Sequence, residues 1–242
     1  MEKLNEILNN LKLKSKNENL KDIVLDRVFS IYPFNRFEYI ISHLLAERII
    51  SINDYLEIRN DYIKRNKFLH LFEITSPRAF GETWAQNHLN ILVPELERPD
   101  RSFDPTYRGE YDFYLPIEDS GIKIEVKASR AVDANSDEQL VIKALGFASK
   151  ANFNMNFQQL KPSCCDVFVW IGVWWDKIVT WVMSAKEVQE HEDYSKNQHS
   201  KGEKEIQEGQ LWITNNNIRK FERYIVEPRD LLMAIVLKGN QK

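Results

Sequence analysis

Around position 110 the spacing of apolar residues changes from helical to alternating, and this change does most to limit what the chain can become. Tyr-Asp-Phe-Tyr-Leu-Pro (111–116) and Ile-Lys-Ile-Glu-Val-Lys-Ala-Ser (122–129) are short β-type runs. The turn-forming stretch Ile-Glu-Asp-Ser-Gly (117–121) separates them, so the two predict a β-hairpin. On a strand, successive side chains point to opposite faces. Ile122, Ile124, Val126 and Ala128 therefore make a core-facing row, while Glu125 and Lys127 share the other face. Pairing of the hairpin then brings Asp112 beside Glu125.

Helical spacing dominates before this point. Residues 1 to 70 contain one proline, Pro33, and no glycine. Apolar residues recur there as Leu4, Ile7, Leu8 and Leu11, and again as Ile23, Val24, Val28 and Ile31. Asn35 is placed to cap a helix carrying Phe37, Ile40, Ile41, Leu44 and Leu45, and Ser51 opens another with Tyr55, Ile58 and Tyr62. Short helices gain stability mainly from packing, so a small bundle against the rest is expected. Ser76-Pro77 starts a further helix over 77–93, which Pro94 stops.

After the hairpin, residues 138–148 fit either strand or helix. Residues 166–173 form a continuous apolar run, as a buried strand requires, and 177–183 pair with them across 174–176. Ser184 to Glu187 begin a helix, 190–209 are polar and read as loop, and Leu-Trp-Ile-Thr (211–214) is one more strand. The expected class is α/β: a mixed central β-sheet flanked by helices, with an N-terminal helical region over 1–70 and the main domain over 71–242.

Composition fits a globular chain, with 43% hydrophobic and 29% charged residues, long enough to bury a core without disulfides. Cys164 and Cys165 are adjacent, a spacing that suits neither a disulfide nor a zinc site and points to reduced thiols. The N-terminus lacks the apolar core of a signal peptide, and no run reaches membrane-spanning length, so a cytoplasmic location is expected. The net charge of −3 does not by itself announce a nucleic-acid partner. Walker, Rossmann and G-x-S-x-G patterns are lacking. His88, His191 and His199 have no ligand spacing and read as surface residues, and Trp174, Trp175 and Trp181 as core. The basic residues Lys14, Lys16, Lys64, Arg65 and Lys67 either grip phosphates or line a solvated helix face.

Two carboxylates at one sheet edge with a lysine beside them make a plausible divalent-cation site, because magnesium prefers oxygen ligands and keeps several waters. Asp112, twelve intervening residues and then Glu125-Val-Lys127 resemble the PD-(D/E)xK nuclease superfamily, which includes most type II restriction endonucleases. The resemblance spans roughly residues 76–183. It implies that Asp112 and Glu125 bind metal and that Lys127 assists the attacking water. Tyr111 stands where the pattern has proline. Family members often add a Glu from the preceding helix, a place that Glu82 in Phe80-Gly-Glu-Thr-Trp84 fits, and Gln158 is similar to a glutamine of some subfamilies. An acid in a helix's first turn is also favoured by the dipole alone, so both readings of Glu82 stay open. Glu110 alternates to the other face and ranks below Asp112.

The implied activity is Mg2+-dependent hydrolysis of double-stranded DNA at a specific short sequence, by a homodimer with a companion DNA methyltransferase. A structure-directed repair or recombination nuclease, or a catalytically silent DNA-binding module of the same fold, are the alternatives. Base reading or dimerisation is expected of the N-terminal helices and of 190–209.

Overall fold

In the computed structural model the described residues are 40–41, 43–102, 104–117, 120–196 and 208–241. Asn35, Lys14, Lys16 and His199 lie outside them, as does most of the expected N-terminal bundle. The fold is mixed α/β, with one sheet of five strands and another of four.

The hairpin forms as the alternation predicts. Strands β1 (Phe113–Ile117) and β2 (Ser120–Arg130) pair antiparallel, with Phe113 opposite Ile124. β2 runs on past the end of β1 and pairs in parallel with β5 (Val167–Val173), Glu125 opposite Phe168. β6 (Ile178–Ser184) returns antiparallel to β5, and the short β9 (Ile225–Val226) closes the order β1-β2-β5-β6-β9. Every residue of β5 is buried, since it lies mid-sheet with both faces covered. The second sheet has the order β3-β4-β8-β7, with β3 (Val132–Asp133), β4 (Phe153–Leu160), β7 (Tyr194–Lys196) and β8 (Gly209–Thr214) all antiparallel.

The two faces of the five-stranded sheet bury different cores. On one side Ile124, Val126, Val169 and Ile171 pack against Phe80 and Leu89 of a helix and against Leu231 and Ile235 of another. On the other, Phe168, Trp170 and Trp181 pack against Met155 and Phe157 of β4 and Leu211 and Ile213 of β8. Phe157 stacks on Trp170 with ring centres 5.1 Å apart. The layers are thus helices, five-stranded sheet, four-stranded sheet.

Helix α1 (Ile52–Arg65) has the expected start: Ser51 Oγ accepts from the Asp54 N–H, and Asp54 returns the bond to the Ser51 N–H. None of its residues is fully buried, and Tyr62 packs partly buried against the helix-side core. The helix beginning at Pro77 is capped by Ser76 Oγ, which accepts from the Ala79 N–H at 3.3 Å. It widens into a π turn over Ala79–Trp84 before continuing as α2 (Ala85–Leu92). Ser184 caps α3 (Ala185–Glu190) with Glu187 completing the capping box, and α4 (Leu231–Gly239) lies against the helix-side core.

Several expectations are corrected. Residues 138–148 form neither strand nor helix: they run in turns, with one bridge between Val132 and Ala144, and insert Val141 and Ala144 into the core. The polar stretch expected as loop contains β7, and β4, β9 and α4 were not foreseen. His191 is no surface residue; its side chain is 6% exposed and its ring stacks on Phe221 at 4.6 Å. Trp174 and Trp181 are core residues, as expected. Among the described residues no helix is long and apolar enough to cross a membrane.

Candidate active site

The site grows from the place where β1 stops and β2 does not. Phe113 faces Ile124, so one further step along the register sets Asp112 against Glu125. The Asp112 N–H donates to the Ile124 carbonyl at 2.9 Å, the last bond of the hairpin. Beyond it this edge of β2 has no strand partner among the described residues, and the N–H of the buried Val126 donates instead to Asp112 Oδ2 at 2.8 Å. The other carboxylate oxygen, Oδ1, accepts from Gln86 Nε2 at 2.5 Å, and Gln86 Oε1 in turn accepts from Arg98 at 2.7 Å. Asp112 is held from two sides in one orientation. Each of its oxygens keeps a lone pair for a further partner.

Glu125 and Lys127 leave the same face of β2, as alternation requires, and their charged ends meet at 3.0 Å. Glu82, from the π turn, approaches the same lysine at 3.7 Å and also pairs with Arg78 at 3.2 Å. The wide turn is therefore what carries Glu82 to β2, and Gly81 faces the Ala128 carbonyl at this crossing. All four sequence candidates, Asp112, Glu125, Lys127 and Glu82, converge. Gln158 lies on β4, exposed, in the opposite wall of the same cleft, which has a volume of about 1070 Å³. Glu110 reaches the cleft too, but its carboxylate accepts from the Arg108 N–H.

Burial sets the electrostatics. Glu125 is 7% exposed. Desolvation and then the neighbouring Asp112 carboxylate push it up to about 7, against the pull of Lys127. Asp112 is raised as well, by desolvation first, although bonds from Val126 and Gln86 and the charge of Lys127 oppose this. For Lys127, desolvation acts downward, but Glu125, Asp112 and Glu82 together outweigh it and the net shift is upward. The lysine is thus a stable cation in a centre that still carries more negative charge than it offsets.

That imbalance is the test of whether a metal suits these residues. Two buried carboxylates held above their ordinary range are stabilised by a cation, and the donors are all oxygen, which suits magnesium. Among the described residues no three His, Cys, Asp or Glu side chains gather as a metal cage. The residues therefore fit an ion that keeps several waters, and Asp112 and Glu125 are the side chains that would hold it. A thiol ligand is not offered: Cys165 is buried and its thiol is pushed well up by desolvation.

Gln86 and Arg98 were missed at the level of sequence. Gln86 follows Glu82 by one helical turn, so it shares that residue's face, and this spacing was the available signal. Arg130 lines the cleft but serves the fold: its guanidinium donates to the carbonyls of Leu71 (3.0 Å) and Ile74 (2.7 Å) and lies over the Phe80 ring. Comparison with protein-family models, with curated proteins and with solved structures finds no match.

Proposed function

We propose that this chain is a magnesium-dependent endonuclease hydrolysing DNA phosphodiester bonds, in the manner of a type II restriction endonuclease. The observation that carries the reading is the charge arrangement on one strand edge. Asp112, one residue before β1, and Glu125, on β2, are both pushed above the usual carboxylate range, and the Lys127 ammonium stands 3.0 Å from Glu125. They line a cleft of about 1070 Å³. The mixed five-stranded sheet with helices packed on one face supports this reading.

Magnesium, when bound, supplies charge stabilisation on the phosphate and a more acidic water. Asp112, fixed by Val126 and Gln86, and Glu125 would hold it. Lys127 has two capacities. While both carboxylates bear full charge it remains protonated, and it can bind a phosphate oxygen or orient a water. Where that carboxylate charge is neutralised, desolvation is left to act downward on Lys127, which moves it toward accepting the water's proton. Glu82 positions the ammonium from its other neighbour at 3.7 Å. A homodimer acting on a palindromic duplex, a cytoplasmic setting and a companion methyltransferase belong to the same proposal.

Plasmid and phage DNA incubated with and without magnesium, beside Asp112→Ala, tests it. Discrete fragments that need magnesium and disappear in the variant support a site-specific endonuclease. A magnesium-dependent smear would move the reading to a structure-directed nuclease. Intact DNA that is nonetheless bound would leave a silent binding module.

A further inference from the structure

The wall of the cleft that faces the carboxylates is built by the second sheet. Met155, Phe157 and Leu160 of β4 point into the core, so Asn154, Asn156 and Gln158 point the other way. The same division on β8 buries Leu211 and Ile213 and turns Trp212 outward, 40% exposed. In the β4–β8 register Asn154 faces Thr214, Asn156 faces Trp212 and Gln158 faces Gln210. This face is polar and uncharged. The cleft's cations lie off this row, Arg78 and Arg98 on other segments and Lys161 just past the end of β4.

Phosphates call for Lys and Arg, whereas base edges call for paired donors and acceptors such as an amide presents. Two further observations favour a ligand here. Asn156 Oδ1 is shielded from solvent and accepts no hydrogen bond from the described residues, an acceptor that a donor would satisfy. A bulge between Gln158 and Leu160 holds Gln159 at φ +56°, unusual for a residue that is not glycine, and turns two consecutive glutamines toward the cleft. The wall is also tied to the cutting centre. Ser129, two residues beyond Lys127 on β2, accepts from the Asn156 N–H at 3.0 Å.

We propose that the Asn154, Asn156 and Gln158 row reads nucleobases of duplex DNA, taking adenines through their amides, with Trp212 as the apolar neighbour for a thymine methyl. Strands as well as helices read base edges in the major groove, and Asn and Gln pair bidentately with the N6 and N7 of adenine. This rests on the reading of the substrate as DNA. It places base recognition on β4, where neither the N-terminal helices nor 190–209 had put it.

Binding and cutting are tested apart. Full-length Glu125→Ala protein, unable to cut under the proposed chemistry, is used to select bound duplexes from a random-sequence library. The same selection is run with Asn154→Ala, Asn156→Ala or Gln158→Ala added, each checked for an unchanged unfolding midpoint. The expected result is a short motif containing A·T pairs. Each substitution should reduce discrimination at one position about tenfold or more, with the salt dependence of binding unchanged. No enriched motif, or one motif shared by all the variants, overturns the inference. A motif found alongside a wild type that never cuts leaves the reading surface standing and sinks the nuclease. Magnesium-dependent cutting with an unaltered motif does the reverse.

Discussion

Glu125→Gln is expected to make the metal-free protein more stable, not less. The wild-type carboxyl has a pKa pushed from 4.5 to about 7, so the fold prefers its protonated form. The contribution of this group to stability is therefore greatest below about pH 4.5, falls as the pH rises through the interval up to about 7, and falls no further above it. A rise of that size corresponds to on the order of 3 kcal/mol. Glutamine keeps the shape and an oxygen for Lys127 to donate to, but stays neutral at every pH. Variant and wild type should match at about pH 4 and differ by up to roughly 3 kcal/mol at about pH 8. Urea unfolding in a chelator, followed by tryptophan fluorescence, measures the gap at both pH values. Magnesium at about a hundred times its Kd should then raise the wild type by about 2.7 kcal/mol and the variant by little. A variant that is less stable at pH 8 without metal would refute the reasoning. The Glu125–Lys127 pair would then stabilise the fold on its own, and no cation would be needed to explain a carboxylate kept there.

Two other substitutions separate direct from positioning roles. Lys127→Met should lower the cleavage rate by about 10² to 10⁴ while DNA binding and the circular dichroism spectrum persist; a loss of less than about tenfold would confine the lysine to charge balance. Gln86→Ala frees Asp112 Oδ1 from its helix partner, so the magnesium needed for half-maximal cleavage should rise about 10- to 100-fold with the saturated rate largely kept. An unchanged magnesium requirement would make Gln86 an ordinary helix residue.

The parts of the fold that could be read in the sequence are those governed by one period. Alternation in 122–129 gave the faces of β2, and the all-apolar 167–173 marked a strand covered on both sides, because each pattern answers directly to burial. The same rule holds in β4, where Met155 and Phe157 alternate with Asn154, Asn156 and Gln158. The strand signal is weak there because Asn, which strands disfavour, stands at positions 154 and 156. Residues 138–148 misled for the opposite reason: their apolar side chains plug the core from turns, where no period applies. The π turn had no signature either, since helical spacing over 77–93 does not reveal where a turn widens.

The least legible feature is also the one that assembles the centre. Strand pairing stops at Phe113 while β2 continues, and an unpaired N–H on a covered strand edge must find an acceptor. Val126 finds it in the Asp112 carboxylate, which fixes that acid beside Glu125 whatever the mutual repulsion costs. A backbone requirement thus keeps two carboxylates together that electrostatics alone would separate. Gln86 and Lys127 lessen the strain without removing it, as the raised values of both acids show. A centre stabilised in this incomplete way gains from a divalent cation, and the unfinished edge of a hairpin is its structural cause.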